Sequence, residues 1–248
     1  MSKYSKGVLH PLNFLKEETL NIFNELGFEA ISGPELENEY YNFDALNVPQ
    51  DHPARDMQDT FYIKPSSIKN VPKGDFDSTN NNHVLRTHNT NTTARMLEEM
   101  AKNNQNSGAY ISVGKVFRNE ATDATHEMQF YQIDGFMISE NINLANMKYV
   151  LVEFYKKVLG GNTEIEFRPS FFPFTEPSVE VHAKFNGKWL EMMGGGMLHP
   201  NVLRNAGFDP DKVQGFAFGG GLDRIAMIRW NIPDVRLFYQ GDLRINQF

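Results

Sequence analysis

Apolar positions set the first part of the picture. Leu12, Leu15, Ile22, Phe23 and Leu26 fall near one face at helical spacing, and Gly27 follows as a stop. A second helix is predicted from about Thr92 to Lys102, with Met96, Leu97 and Met100 turned inward and Thr90 or Asn91 as its cap. A third covers roughly residues 144–159, where Met147, Leu151, Phe154 and Val158 recur along one face until Gly160-Gly161 ends it. Elsewhere the period changes to two. Residues 110–118 and 129–138 read as strands joined by a polar loop. Val179, Val181, Ala183 and Phe185 alternate with Glu180, His182 and Lys184 in another strand, and WLEMMGG at 189–195 is a fourth. Strands with tight polar connections, and helices bunched elsewhere, predict an α+β fold on an antiparallel sheet rather than the βαβ alternation of a doubly wound fold. Residues 64–83, rich in Asn, Ser, Lys, Pro and Gly, predict a mobile surface loop within a single domain over 1–248.

Composition narrows the function classes. The 248 residues are 40% hydrophobic and 22% charged, ordinary for a globular protein, and no run of about 18 apolar residues predicts a membrane helix. Without a signal-peptide pattern at the N-terminus, a cytoplasmic address is expected. Zero cysteines excludes disulfides, thiolate nucleophiles and cysteine-ligated zinc. The net charge is −7 and no Lys/Arg cluster stands out, so a chain that serves an RNA would need another chain or domain to supply most of the grip.

The familiar nucleotide signatures are missing: there is no G-x-x-x-x-G-K-[ST] and no early G-x-G-x-x-G after a strand. The glycine-rich stretch is late, GFAFGGGLDR at 215–224, just ahead of a helical pattern. Glycines there let backbone approach a ligand, and Arg224 in the helix's first turn can reach an anion; tight helix–strand packing with a surface arginine is the competing reading. Between Gly114 and Ile138, Arg118 ends one strand, the loop NEATDATHE is unusually polar, and Phe130, Gln132 and Asp134 share one face of the next strand. A ring to stack a base beside an amide and a carboxylate makes a ligand face, or else the wet face of an edge strand. In FRPSFFPFTEPSVEV at 167–181, two prolines flank Phe174-Thr175-Glu176, a rigid aromatic pocket beside a carboxylate or an aromatic core cluster. Of seven scattered histidines, His10 and His52 precede proline and read as turn residues. His88, just before a helix, is the one expected in a site.

Together these segments resemble the catalytic domain of bacterial-type phenylalanyl-tRNA synthetase α subunits, class II synthetases, from about Gly27 to Phe248. The likeness rests on GFEAISGPELENEYYNFDALNVPQDHPARDMQDTFY (motif 1 and the segment after it), GKVFRNEATDATHEMQFYQIDGF (motif 2), FPFTEPSVEV, WLEMMGGGMLHPNVL and GFAFGGGLDRIAM (motif 3), in that order. The resemblance implies an antiparallel sheet flanked by helices and a two-step reaction: phenylalanine and ATP give an adenylate and pyrophosphate, then the acyl group passes to the terminal ribose of tRNAPhe. It implies Mg²⁺, and a β subunit in a heterotetramer. Carried over residue by residue, Arg118 holds the α-phosphate and the substrate carboxylate, and Arg224 the γ-phosphate. Phe130 stacks on adenine and Glu120 contacts the nucleotide. His88, Thr90, Gln132 and Asp134 surround the ammonium, Phe172 and Phe174 form an edge-to-face pocket for the substrate ring, and Ala217 is its floor. Glu176 is the implied metal ligand. Arginines and Mg²⁺ that neutralise developing charge suffice for such a displacement, because the attacking carboxylate is already ionised.

Four departures stand out. Asp134 replaces the usual Glu, THNT (Thr87–Thr90) replaces THTS, Tyr62 replaces a common tryptophan, and the chain begins about where the family's N-terminal coiled-coil arm, which contacts tRNA, ends. An α subunit working with a β subunit, a stand-alone paralogue that activates an amino acid for another acceptor, and a non-catalytic binding protein of the same fold are the readings open at this point. Retention of Arg118, Arg224, Glu176 and the aromatic pocket counts against the last.

Overall fold

Helix α1 (Pro11–Glu25) begins where proline sits at the first helical position and His10 Nδ1 accepts the Leu12 N–H at 3.3 Å. His10 is thus a helix cap rather than a simple turn residue. The structure, a computed structural model, describes residues 7–56, 59–63 and 83–246. The expected loop over 64–83 lies outside the described residues apart from His83, which opens a strand.

After α1 come β1 (Glu29–Ala30), β2 (Leu36–Asn38), α2 (Glu39–Asn42), β3 (Tyr62–Ile63), β4 (His83–Leu85) and α3 (Thr90–Lys102). Then follow β5 (Gly108–Phe117), β6 (Gln129–Ser139), α4 (Leu144–Leu159), β7 (Ile165–Phe172), β8 (Thr175–Phe185), β9 (Lys188–Leu198), α5 (Pro200–Ala206), β10 (Gln214–Gly221) and α6 (Leu222–Trp230). Among the described residues, seven strands form one sheet in the order β1-β5-β6-β10-β9-β8-β7. Every pairing in it is antiparallel except β1 with β5. Strands β2, β4 and β3 make a smaller sheet. The α+β, largely antiparallel expectation stands.

Two strands go beyond the period-two reading. β7 contains Pro169 yet belongs to the sheet, because it lies at the edge where a missing N–H costs no ladder bond. β10 holds the glycine-rich stretch as a central strand between β6 and β9. Its glycines give no hydrophobic alternation to read, so only its pairing reveals it.

One apolar cluster joins the sheet to α1, α4 and α6. Phe23 of α1 stacks on Phe154 of α4 at 4.8 Å and on Phe218 of β10 at 5.4 Å, all three fully or nearly fully buried. Burying side chains of this size stabilises by roughly 1.5–3 kcal/mol each, so β10 is held firmly from behind. A second cluster packs α3 and α5 on the other face, over Phe136, Ile138 and Ala217. Helix α4 begins on a capping box in which Asn143 and Asn146 satisfy each other's backbone N–H groups, and it ends at Gly160, whose φ of +114° favours glycine.

Helix α3 starts at Thr90, two residues before the predicted start, with Asn89 as its cap. Neither Thr90 nor Asn91 caps it. Thr90 donates to Asp134, and the Asn91 amide donates to Pro34 O and Glu37. Tertiary partners claim side chains that a local rule assigns to the helix end.

Candidate functional site

The site is built on the face of the sheet that α3 and α5 leave partly open. Strand alternation puts Phe130, Gln132 and Asp134 of β6 on that face. Antiparallel register sets Asp134 opposite Gly219 of β10, and Gly219 opposite Gly194 of β9. The floor is therefore one carboxylate followed by two residues without side chains. A Cβ at Gly194 would come within 2.5 Å of the Phe172 ring, so glycine is what lets that ring lie down on the sheet.

Asp134 is 3% exposed. The hydroxyls of Thr90 and Thr93, in the first turn of α3, donate to its two oxygens at 2.6 and 2.5 Å. Burial pushes its carboxyl up to about 6, although the two hydroxyls and Arg86 pull the other way. A ligand cation would restore the charge that burial suppresses.

His88 precedes the same helix, and α2 places it: Asn42 exchanges side-chain hydrogen bonds with Thr87, and its carbonyl lies 2.8 Å from His88 Nε2. Burial lowers the imidazole pKa to about 4, with Arg118 and Arg86 adding to the effect. The ring is neutral at pH 7, Nε2–H donates to Asn42, and Nδ1 is buried with no hydrogen-bond partner among the described residues.

Two adjoining cavities result. The first, about 250 Å³, is lined by His88, Thr90, Gln132 and Asp134 at a polar end, by Phe172, Phe174 and Phe218, and by Gly194, Gly195, Ala217 and Gly219. The Phe172 and Phe174 rings are nearly parallel, 9° apart with centroids at 5.9 Å. The second, about 450 Å³, is lined by Glu120, Phe130 and Arg224, and also by Thr125, His126, Glu127, Glu191 and Asp223. Arg118 lines both. Its guanidinium lies 5.0 Å from the centre of the Phe130 ring, and its Nε donates to Thr87 O at 3.4 Å. Burial lowers its pKa, Glu120 and Asp59 oppose the shift, and an arginine stays charged throughout.

The sequence-predicted residues thus divide cleanly. His88, Thr90, Gln132, Asp134, Phe172, Phe174 and Ala217 meet in the aromatic cavity; Glu120, Phe130 and Arg224 meet in the polar one; Arg118 is their common wall. Glu176 joins neither. Thr175 is buried, so Glu176, the next residue of an extended strand, faces away and is exposed. Phe171 is likewise turned out, 75% exposed.

Sequence reasoning missed Thr93, Glu191, Gly194 and Gly219. Thr93 does carry a signal, since it lies one helical turn after Thr90. Glu191 carries none, because its neighbours in the cavity come from other strands. Glu120, Glu127 and Glu191 line the same cavity as Arg224; the Glu127 carboxylate accepts from Met128 N–H, and Asp223 is committed to Tyr131 N–H and the Tyr239 hydroxyl. No group of three or more potential ligands is arranged to hold a metal among the described residues. A hard cation there fits only with oxygens brought by a ligand, as is usual where Mg²⁺ meets phosphates.

A family model described as tRNA synthetases class II core domain (F) matches residues 1–248. The chain is 46% identical over 259 residues to the phenylalanine–tRNA ligase alpha subunit of Macrococcus caseolyticus, covering 99% of this chain and 68% of that protein. It is 44% identical over 245 residues to the subunit of the same name from Rickettsia africae, covering 98% and 66%. The corresponding Staphylococcus carnosus protein is 46% identical over 255 residues, covering 98% and 67%. The chain spans about two thirds of the length of these relatives.

Proposed function

This chain belongs to the class II tRNA synthetase core-domain family, and on that premise we propose that it joins phenylalanine to ATP, giving phenylalanyl-adenylate and pyrophosphate. The observation that carries the reading is the position of Arg118 on the wall between an aromatic cavity and a polar, arginine-bearing one. An amino acid whose ring enters the first cavity, with its ammonium at Asp134, brings its carboxylate toward Arg118. A nucleotide in the second cavity brings its α-phosphate to the same guanidinium. One carboxylate oxygen attacks the α-phosphorus, the bond to the β-phosphate oxygen breaks, and pyrophosphate leaves. A fixed cation at that point brings the two anions together and stabilises the charge that builds on the phosphoryl oxygens. Arg224 takes the far phosphates, and the Phe130 ring, already faced by Arg118, is placed to receive a base.

Mg²⁺ fits the same reading. It would be held by Glu191 and Glu120 with the nucleotide's own oxygens, and it would neutralise the departing pyrophosphate. Ala217 closes the ring pocket, so para-substituted rings meet a methyl group. The names of the relatives and the net charge of −7 support a further step shared with a β subunit, which would hold tRNAPhe for acyl transfer in the cytoplasm. Among the described residues no helix is long and apolar enough to cross a membrane.

Amino-acid-dependent ATP–pyrophosphate exchange with Mg²⁺ tests the proposal. Exchange driven by phenylalanine, alone or with a β subunit added, is the expected result. Exchange driven only by a different amino acid, or none with either preparation, would overturn it.

A further inference from the structure

The loop between β5 and β6 brings Glu120, Thr125, His126 and Glu127 to the polar cavity. At its base Arg118 N–H donates to Met128 O at 2.9 Å, and Asn119 N–H reaches Asp59 O at 3.2 Å. Its tip is folded on itself. Asp123 Oδ1 accepts the N–H groups of Thr125 and His126 at 2.6 and 2.8 Å, and Asp123 N–H donates to His126 O at 2.9 Å. Such bonds shape the tip but do not decide where it sits. Among the described residues, one hydrogen bond ties residues 120–127 to a distant segment, from Val235 N–H to Ala124 O at 2.9 Å.

The donor end of that bond is fixed. Val235 is buried, lines the same cavity and opens a single turn of 3₁₀ helix (Val235–Phe238). Asp234 caps the turn, its Oδ1 accepting Arg236 N–H at 3.0 Å. At the other end, Phe238 O accepts from His10 Nε2 at 3.1 Å; His10 Nδ1 is already the acceptor for Leu12 N–H, so the proton is on Nε2. The Tyr239 hydroxyl donates to Asp223, whose other oxygen accepts Tyr131 N–H at 2.8 Å. The turn is thus pinned to the start of α1, to the first turn of α6 beside Arg224, and to β6 beside Phe130. Its opening N–H has no partner within the turn, because the first donors of a helix never do. It goes to the loop instead.

We infer that Val235 N–H is a positioning donor for the nucleotide: it holds the tip of the β5–β6 loop at the polar cavity, in register with Arg224 and Phe130. The group is bonded to Ala124 and does not itself contact the nucleotide. This rests on the nucleotide reading of that cavity given above. A loop without the tether would have to be ordered each time a nucleotide bound, and the lost freedom would lower the affinity. Arg118, which the two cavities share, lies at the base of the loop and not at its tip. The tether should therefore act on ATP and not on phenylalanine.

Val235→Pro is the test, because proline removes the N–H and changes little else. Proline suits the first position of a helical turn, and Asp234, at φ −145° and ψ 119°, already has the extended backbone that a residue before proline adopts. Phenylalanine-driven pyrophosphate exchange is measured, with a β subunit added where activity requires one. The KM for ATP should rise about three- to tenfold, the worth of one hydrogen bond. The calorimetric affinity for phenylalanine without nucleotide should stay at the wild-type value. Val235→Ala keeps the N–H and loses packing, so it should lower the melting temperature while raising the KM for ATP less than the proline variant does. An unchanged KM for ATP in Val235→Pro, an equal rise in both variants, or a parallel weakening of phenylalanine would overturn the inference. Should the proline variant fold poorly, hydrogen exchange at the Val235 amide of the wild type is followed by NMR. It should be slow in the free chain and slower still with ATP; exchange at the rate of an open amide, or a rate that ATP leaves unaltered, would overturn the inference equally. A wild-type chain that binds no ATP, with the Val235 amide protected nonetheless, would instead remove the nucleotide reading and the inference with it.

Discussion

Asp134 carries the strongest opposition of forces in the site: a carboxyl nearly sealed from solvent, pushed up to about 6 by burial, and held by two threonine hydroxyls that favour its charged form. The sign follows from linkage. Between the ordinary carboxylate range and about 6, the folded chain keeps a proton that the unfolded chain has lost. Asp134 therefore favours folding most at low pH, and this contribution fades as pH rises through about 6. Binding of an ammonium needs the ionised form, so affinity for phenylalanine should increase as pH is raised from about 5 to 7. Thr93→Val removes one of the hydroxyls that pull the pKa down, so the midpoint of that binding profile should move upward in calorimetric titrations across pH. A midpoint unmoved by the substitution would separate Thr93 from the charge on Asp134. Arg118 belongs to the same scale. Arg118→Ala should lower phenylalanine-dependent pyrophosphate exchange by about a hundredfold or more while circular dichroism and thermal unfolding stay near wild type. Near-normal exchange would remove Arg118 from the reaction.

Strand register does at the level of elements what no side chain does alone. β6, β10 and β9 line up Asp134, Gly219 and Gly194, and the absence of side chains at the two glycines makes the cavity. Adding one methyl at Gly194 intrudes on the Phe172 ring, which can turn aside, whereas at Gly196 the new Cβ would run into the backbone oxygen of Pro177, which cannot. Gly194→Ala should therefore raise the KM for phenylalanine by about ten- to a hundredfold with the melting temperature nearly unchanged. Gly196→Ala should lower the melting temperature itself. Equal effects of the two on KM and on stability would contradict the register argument. Helix α3 shows the same logic: its first turn is used for Asp134, Glu37 and Gln132 more than for its own capping.

For the whole molecule, the informative quantity is the net charge of −7, which gives no electrostatic hold on a polyanion. The chain by itself should bind tRNAPhe weakly at about 0.15 M salt, and addition of a β subunit should produce a retained complex in a gel-shift experiment. Tight, salt-resistant binding by the chain alone would show that a basic surface forms in three dimensions without being visible in composition. The division of labour proposed above has a physical basis. Adenylate formation needs cations beside both ligands, and the proposed site has Arg118 and Arg224 on a sheet face held from behind by α1, α4 and α6.

Much of this protein was legible in the order of its residues. Helical spacing at Leu12–Phe23 and Met147–Val158, and alternation at Gln129–Ser139 and Val179–Phe185, come from local sterics and the burial of one face, so α1, α4, β6 and β8 could be read directly. The arginines, aromatics and carboxylate of the candidate site could be singled out from their segments, but each segment also left a core or surface reading open, and only the resemblance chose between them. Other features depended on long-range pairing. β10 has no alternation to betray it, and β7 keeps a proline that only an edge tolerates. Glu176 and Glu191 are both exposed strand glutamates, yet Glu191 lines the polar cavity and Glu176 lines neither cavity. The orientation of the Gln132 amide was decided 43 residues away, by the backbone N–H of Asn89. Sequence by itself determined the elements and the chemical inventory, because those follow from short-range sterics and burial. Only the tertiary structure decided which groups share a cavity and which atom each presents, because hydrogen bonds and packing between distant segments outweigh the local preferences of the residues they join.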